Sequence, residues 1–98
     1  MSITKAYRVN GTDEYHIEYR QSSWSGKFTM HVLRRPANPY STSVSDCHLY
    51  PSDIICVVAG KEPHTFERAQ AIARYWMHGY STYIHTGSFP DSGASINV

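Results

Sequence analysis

A chain of 98 residues has the length of one compact domain with a modest core, and no room for a second. Apolar residues at 41% and charged residues at 17% fit a folded globule and exclude a disordered, highly charged segment. The formal net charge of +1 gives no electrostatic reason to expect nucleic acid or an anionic membrane as partner.

No run approaches the roughly 18 apolar residues of a membrane span, and Met1-Ser2-Ile3-Thr4-Lys5 lacks the apolar core of a secretory signal. The expectation is a cytoplasmic protein whose two cysteines, Cys47 and Cys56, are reduced, since a disulfide scaffold of this size would carry more. Eight tyrosines are many for this length. They mark either half-buried strands or a surface that meets other proteins.

In chain order, residues 6–10 read as a short strand closed by the turn signal Asn10-Gly11-Thr12-Asp13. Residues 14–20 alternate, with Tyr15, Ile17 and Tyr19 on one face and Glu14, His16, Glu18 and Arg20 on the other, which is a strand with one wet side. A polar hairpin loop over 21–26 follows. Residues 27–33 then alternate again, Phe28, Met30 and Val32 against Lys27, Thr29 and His31. Arg35-Pro36-Ala37-Asn38-Pro39 ends this strand, because proline cannot donate to a ladder. A long Ser/Thr/Asn/Pro-rich stretch to Asp46 reads as a functional loop.

Residues 54–59 form an apolar β-type segment, and residues 60–64 turn. Thr65 is positioned as an N-cap with Glu67 in the first helical turn. Phe66, Ala69, Ile72, Ala73 and Trp76 recur at helical spacing, and Tyr80, Tyr83 and Ile84 continue the stripe. The spacing predicts a helix to about His85 that tolerates Gly79. The competing reading ends the helix at Gly79 and makes 81–85 a strand. Residues 91–98 read as a tail, with Phe89-Pro90 pinning it back. The expected fold is α+β: one domain over 1–90, an antiparallel three- to four-stranded meander, and one long C-terminal helix packed on one face.

Cys47-His48-Leu49-Tyr50-Pro51-Ser52-Asp53-Ile54-Ile55-Cys56 places a histidine and a turn ahead of an apolar run that ends in a thiol. With Pro36 after the third strand, His48-Leu49-Tyr50, the turn Pro51-Ser52-Asp53 and Ile55-Cys56 follow in the order of a known motif. Ala73-Arg74-Tyr75-Trp76, Tyr80-Ser81-Thr82-Tyr83 and Thr86-Gly87-Ser88-Phe89-Pro90 lie downstream. Over residues 15–90 this pattern resembles the divergent prokaryotic branch of the ubiquitin-conjugating-enzyme fold. The resemblance implies that Cys56 carries a ubiquitin-like modifier as a thioester and passes it to an amine. The partners would then be that modifier and its activating enzyme.

By motif position His48 would be structural and tie the loop through backbone hydrogen bonds, and Asp53 is close enough in sequence to act on the incoming amine. The family's asparagine after the histidine has no match; Tyr50 or Ser52 stands nearby as a hydrogen-bond donor for the oxyanion. The family's N-terminal helix has no counterpart before the first predicted strand.

The residues alone leave Cys56 equally at home as a core side chain, because free cysteine behaves as a small hydrophobe. Cys47, His48, Cys56 and His64 lack the two-to-four-residue ligand spacing of a structural zinc site, so neither metal nor cofactor is expected. A cysteine–histidine hydrolase would pair Cys56 with His48 or His64, but no oxyanion loop is evident. His16, His31, His78 and His85 fall on polar faces or helix ends. The principal alternative is a non-catalytic interaction module, for example an inhibitor encoded by a mobile element. It would use the aromatic set Tyr7, Trp24, Tyr40 and Tyr75, with Cys56 in its core.

Overall fold

The computed structural model describes residues 2–40, 49–50, 52–57, 59–87 and 89. Three strands, β1 (Ser2–Val9), β2 (Asp13–Gln21) and β3 (Phe28–Arg34), precede one helix, α1 (Phe66–Thr86). The strands form one antiparallel sheet in the order β1-β2-β3. Sheet order equals chain order, so each connection is a short hairpin. The tail expected over 91–98 lies outside the described residues.

The β1–β2 turn follows directly from its sequence. Asn10 and Gly11 both take positive φ, 56° and 75°, and Thr12 N–H donates to the Val9 carbonyl at 3.2 Å. That is a type I′ turn, whose twist matches the strands it joins. β1 begins earlier than the sequence indicates, at Ser2, because pairing with β2 from Ser2↔Arg20 to Val9↔Asp13 gives even its polar residues ladder bonds. Between β2 and β3 the register shifts at His16/Ile17, so that Ile17 faces Val32 while His16 faces Arg34. The bulge turns both Leu33 and Arg34 to the wet side of the sheet. Leu33 is accordingly exposed, and Arg34 reaches Glu14 at 3.9 Å.

The other side of the sheet carries the core. Tyr15, Ile17, Tyr19, Phe28, Met30 and Val32 meet Ala69, Ile72, Ala73, Trp76, Met77, Tyr80 and Tyr83 from α1. Half of the eight tyrosines (Tyr15, Tyr19, Tyr80 and Tyr83) are therefore core residues. A buried hydroxyl without a partner would cost about 1–3 kcal/mol, and here the hydroxyls find one another. The Tyr15 hydroxyl is 2.6 Å from Ser81 Oγ, and the Tyr19 hydroxyl is 2.7 Å from that of Tyr7. Gln70 Nε2 donates to the latter at 2.8 Å. Burial raises the pKa of both Tyr15 and Tyr19 above the ordinary phenol value, so both stay neutral.

The helix does continue through Gly79. Thr65 caps its start, accepting from Arg68 N–H at 3.2 Å, and Gly87 ends it in the left-handed region with its N–H on the Tyr83 carbonyl at 2.7 Å. Gly79 is not a cap but a seat. A Cβ placed there would lie 2.6 Å from two ring carbons of Phe89, which folds back onto the core. The glycine gives up about 1 kcal/mol of helix propensity to admit that ring. No helix of the described residues is long and apolar enough to cross a membrane.

Candidate functional site

Cys56 sits in a strap that lies along the outer edge of β3. Val32 N–H donates to the Asp53 carbonyl at 2.9 Å, and Ile55 N–H donates to the Met30 carbonyl at 3.0 Å. Isolated bridges form there, among them His31↔Ile54 and Leu49↔Ile55. Of the apolar segment expected over 54–59, residues 54–57 form an irregular fourth edge, with Val58 outside the described residues. Leu49 bridges its far side, and its entry is bent. Tyr50 N–H donates to the Ile54 carbonyl at 2.8 Å, and Asp53 N–H donates to the Tyr50 carbonyl at 2.9 Å. Asp53 itself takes φ 61°, a left-handed conformation that aspartate tolerates better than most residues.

Within this turn the candidate residues divide. Tyr50 is 47% exposed, on the rim of a groove of about 180 Å³ lined by Phe28, Met30, Ile54, Ile55, Val57 and Glu62. Asp53 points instead to Arg35, whose Nη2 is 3.5 Å from Asp53 Oδ1. Arg35 Nη1 also donates to the Tyr80 hydroxyl at 2.8 Å, and that hydroxyl donates to the Pro36 carbonyl at 2.9 Å. Burial works against the Arg35 charge, but Tyr80 and Asp53 beside it hold its pKa above the ordinary value. The Arg35 side chain therefore ties the turn to the helix, a link with no local sequence signature.

Cys56 is a free thiol, 4% exposed, and does not line that groove. Burial raises its pKa, which lowers the thiolate fraction at neutral pH. His48, Cys47 and the 41–46 loop lie outside the described residues. Among the described residues no three His, Cys, Asp or Glu side chains are grouped as a metal site.

Of the aromatic set, Tyr7 is not a free surface ring. Its hydroxyl is held by Tyr19 and Gln70, and its ring lies under Arg74 at 5.9 Å. Tyr40 and Tyr75 are partly exposed. Trp24 stands apart at 97% exposure, on the tip of the β2–β3 hairpin. Its loop is fixed from below by serine. Ser22 Oγ accepts from Trp24 N–H at 3.1 Å and from Ser25 N–H at 3.2 Å. Gly26 N–H donates to the Ser22 carbonyl at 2.9 Å, and Ser22 N–H donates to the Lys27 carbonyl at 2.9 Å. A Ser two residues ahead of the tryptophan was the available sequence signal, since such hydroxyls cap turns.

The wet face of the sheet is a lattice of opposite charges. His16 Nε2 meets Glu14 Oε2 at 3.0 Å, and Arg20 Nη2 meets Glu18 Oε1 at 2.9 Å. His16 and Arg34 lower the pKa of Glu14, and Arg20 lowers that of Glu18, both from 4.5. Partial burial, with Arg20 adding to it, lowers the pKa of His31 from 6.5. All three shifts act in one direction. Each group binds protons less readily when folded, so its contribution is present above the unfolded pKa and is lost as pH falls through the folded one. The urea midpoint is expected to fall from pH 7 to pH 4. His31→Gln should flatten the part of that decline between pH 6.5 and 5, and an unchanged profile in this variant would exclude the His31 contribution.

No family model, curated protein or solved structure matches the chain.

Proposed function

We propose that the protein is a non-catalytic interaction module that engages a partner protein through Trp24. The observation that supports this reading is a tryptophan left almost wholly in water on a loop whose backbone is already hydrogen-bonded. Tryptophan is the side chain most enriched among dominant interface anchors. A loop ordered in advance adds little entropy cost on binding. A reduced cysteine in a cytoplasmic setting, packed as core, fits the same reading, and an inhibitor that blocks another complex is one form such a module takes.

The conjugating-enzyme-like reading has one observation in its favour. Tyr50 and Asp53 close the turn that leads into Cys56, the order that the family resemblance calls for. It requires the strap to lift, because the sulfur is covered.

Affinity capture from the producing cells separates the two. The expected result is a protein retained by the native chain and by Cys56→Ser but lost with Trp24→Ser. Once that partner is in hand, Trp24→Ala should weaken it by about 2 kcal/mol or more, roughly thirtyfold. A thiol-labile adduct that forms on the native chain and vanishes with Cys56→Ser would instead establish the carrier reading.

A further inference from the structure

The outer edge of β1 carries a feature that neither reading uses. β1 is an edge strand eight residues long, without proline or bulge. Among the described residues no strand or bridge pairs with its outer side. Such an edge offers a row of unpaired N–H and C=O groups, a template for another extended chain.

Charge singles out the occupant. Arg20, Lys27, Arg34 and Arg35 each meet a carboxylate within the fold. Lys5, Arg8, Arg68 and Arg74 make no ion pair with any described residue, and three of them, Lys5, Arg8 and Arg74, border this edge. Lys5 lies over the Phe66 ring at 5.8 Å and Arg74 over the Tyr7 ring at 5.9 Å. Glu14 stands opposite Arg8 in the ladder, but its oxygens are engaged by His16 and Arg34. Two hollows flank the strand. One of about 270 Å³ lies toward the helix, lined by Tyr7, Arg8, Val9, Arg74, Met77 and His78. A shallower one of about 250 Å³ lies on the wet side, lined by Ala6, Tyr7, Arg8 and Glu14. Successive side chains of an added strand point to opposite faces, and so would enter one hollow and then the other.

A second copy of the chain fits this edge poorly. The antiparallel self-pairing that sets Ser2 against Arg8 puts Lys5 directly opposite Lys5, and like charges so placed are destabilising. The next register sets Lys5 against Tyr7, whose ring Arg74 already faces. Both double three cations that lack an ion pair. We infer that the β1 edge, with Lys5, Arg8 and Arg74 beside it, docks an extended acidic segment of a partner protein that joins the sheet as a strand. This rests on the interaction-module reading and adds a second contact to Trp24.

The test is selection from a random twelve-residue peptide display library on the intact chain, with the consensus peptide then titrated. Selected peptides should alternate Asp or Glu with other residues. Their binding should slow hydrogen exchange at alternate amides of β1. It should fall at least tenfold in the Lys5→Glu/Arg8→Glu/Arg74→Glu variant, whose circular dichroism confirms that it is folded. Binders that survive this charge reversal but are lost with Trp24→Ser would overturn the edge proposal and leave the module reading standing. The absence of any selected binder would overturn the edge proposal, and the Trp24 capture experiment would still decide the module reading. Tighter binding of a twelve-residue oligothymidylate than of the peptide, or a dimer in sedimentation that charge reversal does not weaken, would also overturn it.

Discussion

Trp76→Ala is expected to cost about 3–5 kcal/mol, the usual range for emptying a buried aromatic site. The indole is fully buried, edge-on to Tyr15 at 5.8 Å between centroids and stacked on Tyr80 at 5.0 Å. A domain of this size holds a total of about 5–15 kcal/mol, so the loss takes a fifth or more of it. The melting temperature should drop by roughly 12–40 °C. Trp76→Phe, which keeps a ring between Tyr15 and Tyr80, should retain most of the stability. Thermal melts followed by circular dichroism read both. A cooperative melt of Trp76→Ala within a few degrees of the native chain would show that the helix does not hold the sheet through this residue.

The second large effect is chemical. Cys56 in the native protein should react with iodoacetamide at pH 8 on the order of a hundredfold more slowly than in urea, read by mass spectrometry peptide by peptide. The covered sulfur must wait for the strap to open. A local opening of about 3 kcal/mol lies midway between fraying and global unfolding and gives that factor. Native and denatured rates within a few-fold of each other would mean that the strap lifts freely, and would return the thiol to the list of reactive groups. Substitution probes the same packing. Cys56→Val should be tolerated better than Cys56→Ser, which buries a hydroxyl where the sulfur now packs.

The α+β meander with one long helix was legible because its signals are periodic. Alternation in 14–20 and 27–33 gave β2 and β3 within a residue or two, and the 3.6-residue stripe carried the helix past Gly79 to Thr86. Contacts distant in sequence left no such trace. The reason for Gly79 is Phe89, ten residues on, and the reason for the fixed turn at Asp53 is Arg35 anchored on Tyr80. β1 began early because pairing, not side-chain pattern, decided where it started. Of the candidate site, the residue order around Tyr50, Asp53 and Cys56 could be read from the sequence. The burial of the thiol could not, since it depends on tertiary packing around the strap rather than on local pattern.

The order of elements also has a consequence for synthesis. Chains emerge from the ribosome N-terminus first, so the complete three-stranded sheet appears before any of the helix that covers it. Apart from Leu49 and Ile55, Tyr15, Ile17, Tyr19, Met30 and Val32 have no core partners from outside the sheet until Trp76 and Tyr80 have left the exit tunnel. A nascent chain stalled at the 60–64 turn exposes the part of its apolar sheet face that the helix covers. Folding is therefore committed late, and a chain cut ahead of α1 is a substrate for chaperones or proteases rather than a smaller version of this domain.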